Sequence, residues 1–234
     1  MLTIKHHITT LKQQLNQHTF FTQLHQQREL SSALAFAPSA AFWVLSFQDM
    51  IRLNAQRAKN PEIKEILEQH VSEDAGHEEW YFEDLRALYG ELFAQPKDLF
   101  SLRNLDARGT AFSIVSEMFH IEDDYLRLVF VEVLEATAEV FFENVSLYLR
   151  ASGDYQKLKY FGATHQKAES AHEMFEAHIK QRTNAFTFTS SQREAARNLV
   201  ERTFMHFKVL FDQFEERLHA PLPTPPRFVE KHPE

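Results

Sequence analysis

The sequence predicts an all-α fold, a single helical bundle, on three observations. Glycine and proline are scarce in the body: 234 residues carry five glycines and eight prolines, five of the prolines after residue 220. Little of the chain therefore has the punctuation that strands and tight turns need. Strand-like alternation is absent, and apolar stripes recur at three- and four-residue spacing between recognisable helix caps.

Taken in order, Leu2 to Gln27 and Pro38 to about Ala58 read as helices. Asn60-Pro61-Glu62 supplies a capping residue, a proline at the first helical position and an acid in the first turn, so a helix starts there and runs to about Leu88, before Gly90. Thr110 to Arg150 reads as one or two helices. Gly153-Asp154 is a stop followed by a cap, which opens another helix to about Gln181. Ser191-x-x-Glu194 has the form of a capping box, and the helix behind it carries Val200, Phe204, Phe207, Phe211, Phe214 and Leu218 as one apolar stripe. The expected organisation is one helical domain over 1–219 and a proline-rich tail over 220–234.

Composition narrows the function. A net charge of −8 without a clustered basic excess argues against a nucleic-acid surface. Zero cysteines remove disulfides, thiolate metal sites and a cysteine nucleophile, whereas thirteen histidines leave imidazole and carboxylate chemistry open. The N-terminus lacks the apolar core and cleavage site of a signal peptide. The charge-free run Leu30 to Gln48 contains Pro38 and four serines, so it reads as a buried helix with its approach and not as a membrane span. The expectation is a cytoplasmic protein with no membrane partner.

Ligand-type residues sit inside apolar stripes. His165, Glu169 and His172 share an arc of roughly 60° on a helix, with Leu158, Phe161, Ala168 and Phe175 in or beside it. A lone core histidine is usually structural, but two flanking a carboxylate on one buried face need a shared reason. In 63–88, His70, Glu73, Asp74 and His77 interrupt a stripe that Ile63, Ile66 and Leu67 begin and Tyr81, Leu85 and Leu88 resume. The bland alternative has Glu73 and Asp74 facing solvent and the histidines structural. A third helix is apolar nearly all round except for Glu132, Glu135, Glu139 and Glu143; Glu135 is flanked on its own face by Leu128, Val131, Ala138 and Phe142 and is the candidate to point inward. Imidazole and carboxylate without thiolate suit iron or manganese, with zinc allowed by ligand type.

At these residues the sequence resembles the heme-oxygenase-like helical superfamily, in the TenA, PqqC and CADD-like branch that includes non-heme di-iron oxidases and oxygenases. The late-helix His-x-x-x-Asp/Glu-x-x-His of the di-iron members corresponds to His165, Glu169 and His172, the earlier histidine to His77, and the middle-helix glutamate to Glu135 in "VLEATAE". Where some members have a carboxylate seven residues before the histidine, this chain has His70, so Glu73 or Asp74 must substitute or one metal alone is bound. The resemblance implies a metal set of Glu73, His77, Glu135, His165, Glu169 and His172, with His70, Asp74 and Glu139 as outer partners or alternative ligands. "SFQDMIRL" resembles the TenA branch, which places Asp49 in the substrate pocket; the thiaminase cysteine has no counterpart.

The resemblance thus implies an iron enzyme, with two ions if the carboxylate set is complete and no heme, acting on dioxygen and a small organic substrate. Two rivals stand beside it: a metal-independent enzyme of cofactor metabolism like PqqC, and a binding or regulatory protein without catalysis. The phenylalanine stripe of the last helix suggests a homodimer.

Overall fold

The computed structural model describes residues 2–90, 99–169 and 187–219. All regular structure among them is helical. The elements are α1 (Leu2–Leu15), α2 (Thr19–Gln26), α3 (Leu30–Ala33), α4 (Ala41–Arg57), α5 (Pro61–Glu73), α6 (His77–Tyr89), α7 (Leu105–Phe119), α8 (Asp124–Ser152), α9 (163–169 within the described residues) and α10 (Ser190–His219), with 3-10 turns at Ala37–Ala40 and Leu102–Asn104.

Several boundaries depart from the sequence reading, each for a local reason. The first long helix breaks after Leu15, and His18 starts α2 by accepting the Phe20 amide. The helix expected over 61–88 divides at 74–76, where Gly76 takes φ +91°, a left-handed conformation that interrupts the hydrogen-bond ladder. The 110–150 region is two helices, α8 starting where the Asp123 side chain accepts the Tyr125 amide. Gly153 ends α8 at φ +81° as expected, but 154–162 forms successive turns and the next helix begins only at 163. The capping box lies two residues earlier than read: Gln192 N donates to Thr189 Oγ1 at 3.2 Å and Thr189 N to Gln192 Oε1 at 2.9 Å.

The apolar stripe of α10 is buried along its length and packs against α1, α2, α7 and α8. Phe214 stacks on Phe36 at 5.0 Å between ring centroids, and Phe20 meets Phe36 edge-on at 5.1 Å. Each such ring contributes about 1.5–3 kcal/mol by leaving water. The surface from which a homodimer was read is therefore spent on the protein's own core. The stretch Leu30–Arg57 is apolar enough to cross a membrane by length and composition, and 61% of its most apolar window is buried inside the bundle.

Pairs of contacts fix helix direction around α8. Asp124 Oδ2 accepts the amides of Lys59 and Asn60 at 2.8 and 2.6 Å, pinning the start of α5 to the start of α8. Ten and eleven residues further along, His70 meets Glu135 at 2.6 Å, so the two helices run side by side in the same direction. Lys5 with Glu132 and Lys12 with Glu139 tie α1 to α8 in the same sense. One face of α8 is thereby held by α1, and the neighbouring face presents Glu135 to the end of α5.

Candidate metal centre

The site assembles where α5 ends. His70 lies one turn before the break and Asp74 caps it, while His77 opens α6 beyond Gly76. The break turns what would have been one helical face into two walls around Asp74. His70 Nε2 lies 3.0 Å from Asp74 Oδ2 and 2.6 Å from Glu135 Oε1. The other oxygen of Asp74, Oδ1, lies 3.4 Å from His77 Nδ1. His165 Nε2 lies 3.3 Å from Glu169 Oε1, and its ring centroid 4.7 Å from that of His77.

Two triads result, His70, Asp74 and Glu135, and His77, His165 and Glu169; within each, the ligand-type atoms lie within 4.8 Å of one another. Asp74 belongs to the first and reaches the second. His70, Asp74, His77 and His165 are all buried, at 4–8% exposure. Burial pulls His70 toward its neutral form, but the contacts with Asp74 and Glu135 outweigh it and hold the imidazole well above its ordinary pKa.

The limb carrying His165 is placed by α6. Asp84 is 2% exposed and accepts the amides of Lys159 and Phe161 at 2.7 and 3.0 Å, fixing the turns that precede α9. Burial raises the pKa of Asp84, with those amide hydrogen bonds opposing it. Gly162 is required at the same corner, because a Cβ there would fall on the carbonyl oxygens of Tyr155 and Leu158. The His165 ring is walled by Phe142 at 4.1 Å and Tyr160 at 5.1 Å. Burial first, then the charges of Asp74, Glu169 and Asp84, push the Tyr160 hydroxyl up, so it stays a phenol.

The structure sorts the residues singled out from sequence. It brings together His77, Glu135, His165 and Glu169, and adds His70 and Asp74. Glu73 is outside both triads and accepts from Gln69 Nε2 at 3.1 Å. At 100° per residue, a single step along α5 swings the side chain from the pocket to the flank, so of the two carboxylates left open it is Asp74 that meets His70 and His77. Glu139 pairs with Lys12 on the α1 face. His172 lies outside the described residues. Asp49 is not a pocket residue: its side chain is 78% exposed and faces Arg52 at 3.8 Å. Its neighbour Gln48 is the one turned inward, donating through Nε2 to the Asp74 carbonyl.

Sequence reasoning missed Gln48, Asp84, Glu78 and Tyr160. The first two had a signal, each being a polar residue inside an apolar stripe. Gln48, Glu78 and Tyr160 line, with Asp74 and Glu135 of the first triad and all of the second, a cavity of about 50 Å³. A second cavity of about 30 Å³, walled by Phe141, Phe161, Phe207, Phe211 and Phe214, shares Trp43, Val44, Ala138, Phe142 and Tyr160 with the first. A polar chamber and an aromatic one lie side by side. In comparisons with known proteins, no family model matches the chain, and no curated protein matches it.

Proposed function

We propose that the chain is an oxygen-activating non-heme iron oxidoreductase of the heme-oxygenase-like type, with a two-ion centre and a small organic substrate. The observation that carries this reading is Asp74, whose two carboxylate oxygens face two separate triads. A carboxylate so placed could serve a cation in either triad, and each triad offers imidazole nitrogen and carboxylate oxygen, a donor set that fits iron and manganese. The burial of His70, Asp74, His77 and His165 supports it further, since four ligand-type side chains gathered in an apolar interior point to a shared purpose.

His70, Asp74 and Glu135 would hold one ion, and His77, His165 and Glu169 the other; His172 joins the second set on the strength of the resemblance. Bound iron supplies reducing electrons and open coordination positions for dioxygen. The protein does the rest. Gln48 holds the Asp74 backbone, Asp84 and Gly162 set the limb that carries His165, and Trp43, Phe142 and Tyr160 give the cavity an aromatic wall.

Anaerobic titration of metal-free protein with Fe(II), followed by metal analysis and oxygen uptake, tests the reading. The expected result is two ions per chain and oxygen consumption that depends on them. Protein that takes up no iron, or that is fully active after exhaustive chelation, defeats it, the latter in favour of a PqqC-like, metal-independent enzyme.

A further inference from the structure

Two residues that line the polar chamber each carry a buried acceptor used by neither triad. Gln48 is 5% exposed; its Nε2 donates to the Asp74 carbonyl, which fixes the amide's orientation and leaves Oε1 buried with no hydrogen-bond partner. Glu78, in the first turn of α6, likewise has its Oε2 buried with no hydrogen-bond partner. Both residues line the same cavity. A buried acceptor left without a donor costs about 1–3 kcal/mol, so the chamber lacks a donor at two places outside the proposed ligand sets.

The walls restrict what that donor is. Outside the proposed ligand sets the polar chamber carries the Glu78 carboxylate and the Gln48 amide, with no lysine or arginine among its described lining residues. A group that donates only, and carries positive charge, suits it best; an ammonium has three donors and no acceptor. Trp43 and Phe47 add ring faces, which attract cations. The aromatic chamber beyond Trp43, Phe142 and Tyr160 has phenylalanine walls suited to a carbon body. At about 10–15 Å³ for each water-sized position, cavities of about 50 and 30 Å³ hold a molecule of few heavy atoms.

We propose that the cavity binds a small primary amine, its ammonium on Gln48 Oε1 and Glu78 Oε2 and its apolar body in the aromatic chamber. The role of that amine as substrate rests on the iron reading above; its binding does not. Glu78 and Gln48 are then the residues that set specificity.

The probe is n-pentylamine, compared with pentan-1-ol and pentanoate on the full-length protein, both metal-free and after anaerobic loading with Fe(II). Binding is read by tryptophan fluorescence, since Trp43 lines the cavity and Trp80 stacks on His77, and the chain has only these two tryptophans. The amine saturates at a concentration at least tenfold below the alcohol, and pentanoate binds more weakly than either. Glu78→Gln removes the tenfold advantage and leaves alcohol binding and iron stoichiometry unchanged; Glu78→Asp, which keeps the charge, retains part of it. Equal affinity for amine and alcohol, tighter binding of pentanoate, or an unchanged preference in a folded Glu78→Gln variant overturns the proposal. So does loss of iron from Glu78→Gln, which makes Glu78 a metal ligand and leaves the iron reading standing. Amine selectivity in protein that takes up no iron sinks the iron reading and keeps this one.

Discussion

His18, Asp212 and Glu215 lie as close together as His77, His165 and Glu169 do, each group with its ligand-type atoms within 4.8 Å. The two clusters otherwise differ. His18 has a complete structural explanation: its Nδ1 accepts the Phe20 amide to cap α2, and Nε2 faces Asp212 at 3.1 Å. Asp212 is 56% exposed, and Glu215 accepts the Thr19 hydroxyl. Nothing there is short of charge or of partners. The inner cluster buries both of its histidines, leaves Glu169 partly exposed, and meets Asp74 at the break between α5 and α6. A third cluster marks the middle case: Glu117 accepts from Arg202 and meets His206 at 3.2 Å, so an arginine already fills the place a cation would take. Proximity of ligand-type residues is common, and what distinguishes the inner group is the burial of both of its histidines next to a buried carboxylate, Asp74.

The largest effect is expected at the shared carboxylate. Asp74→Asn should weaken Fe(II) binding at least about 100-fold, roughly 2.7 kcal/mol, at both positions, whereas Asp212→Asn should leave the titration unchanged. Loss of iron from Asp212→Asn would erase the distinction between the clusters. Asp84→Ala comes next. It leaves the buried amide of Phe161 and the partly buried amide of Lys159 without an acceptor, and urea unfolding should show about 1–3 kcal/mol of destabilisation. Metal analysis of that variant should find the His165 position depleted before the His70 position.

His18→Ala should cost about 1 kcal/mol of stability through the lost cap and nothing in metal content, which calorimetry and metal analysis on one sample would decide. The smallest effect belongs to Glu117. Its contacts with Arg202 and His206 overcome the burial that would raise its pKa and hold the carboxyl below its usual value. The contribution is therefore present above the unfolded carboxylate pKa near 4.3 and is lost as pH falls through the lower folded value. Glu117→Gln should reduce stability by about 0.5–1 kcal/mol at neutral pH, with the difference from the parent vanishing in acid. A difference that instead grew on acidification would show that the pairing has been misassigned.

Much of the bundle was legible because its signals are local. Asn60 accepts the amides of Glu62 and Ile63 where the Asn-Pro-Glu pattern places a cap, and Gly153 ends α8 where glycine followed by aspartate implies a stop. The break at 74–76 was not legible, since a single glycine in a helical pattern is tolerated more often than it divides one. The resemblance placed Asp49 in the pocket, whereas Gln48, one residue and about 100° of helical phase away, is the side chain turned inward. Between Glu73 and Asp74, both left open by the sequence, the same single step decides for Asp74. The tie between Asp84 and the turns at 159–161 joins two elements 75 residues apart, and no pattern along the chain announces such a partner.

That separation also bears on the order in which the centre forms. Asp84 closes loops of 75 and 77 residues when it takes the amides of Lys159 and Phe161, at an entropic cost of roughly 4 kcal/mol. Contacts that close such long loops become favourable only after intervening elements have packed, and here the whole of α7 and α8 intervenes. The His70 half can be organised as soon as α5 lies along α8, whereas the His165 half waits for the chain to return. The centre would thus be completed late on the folding path, as a pocket formed by a largely finished scaffold and not as a nucleus around which the chain condenses.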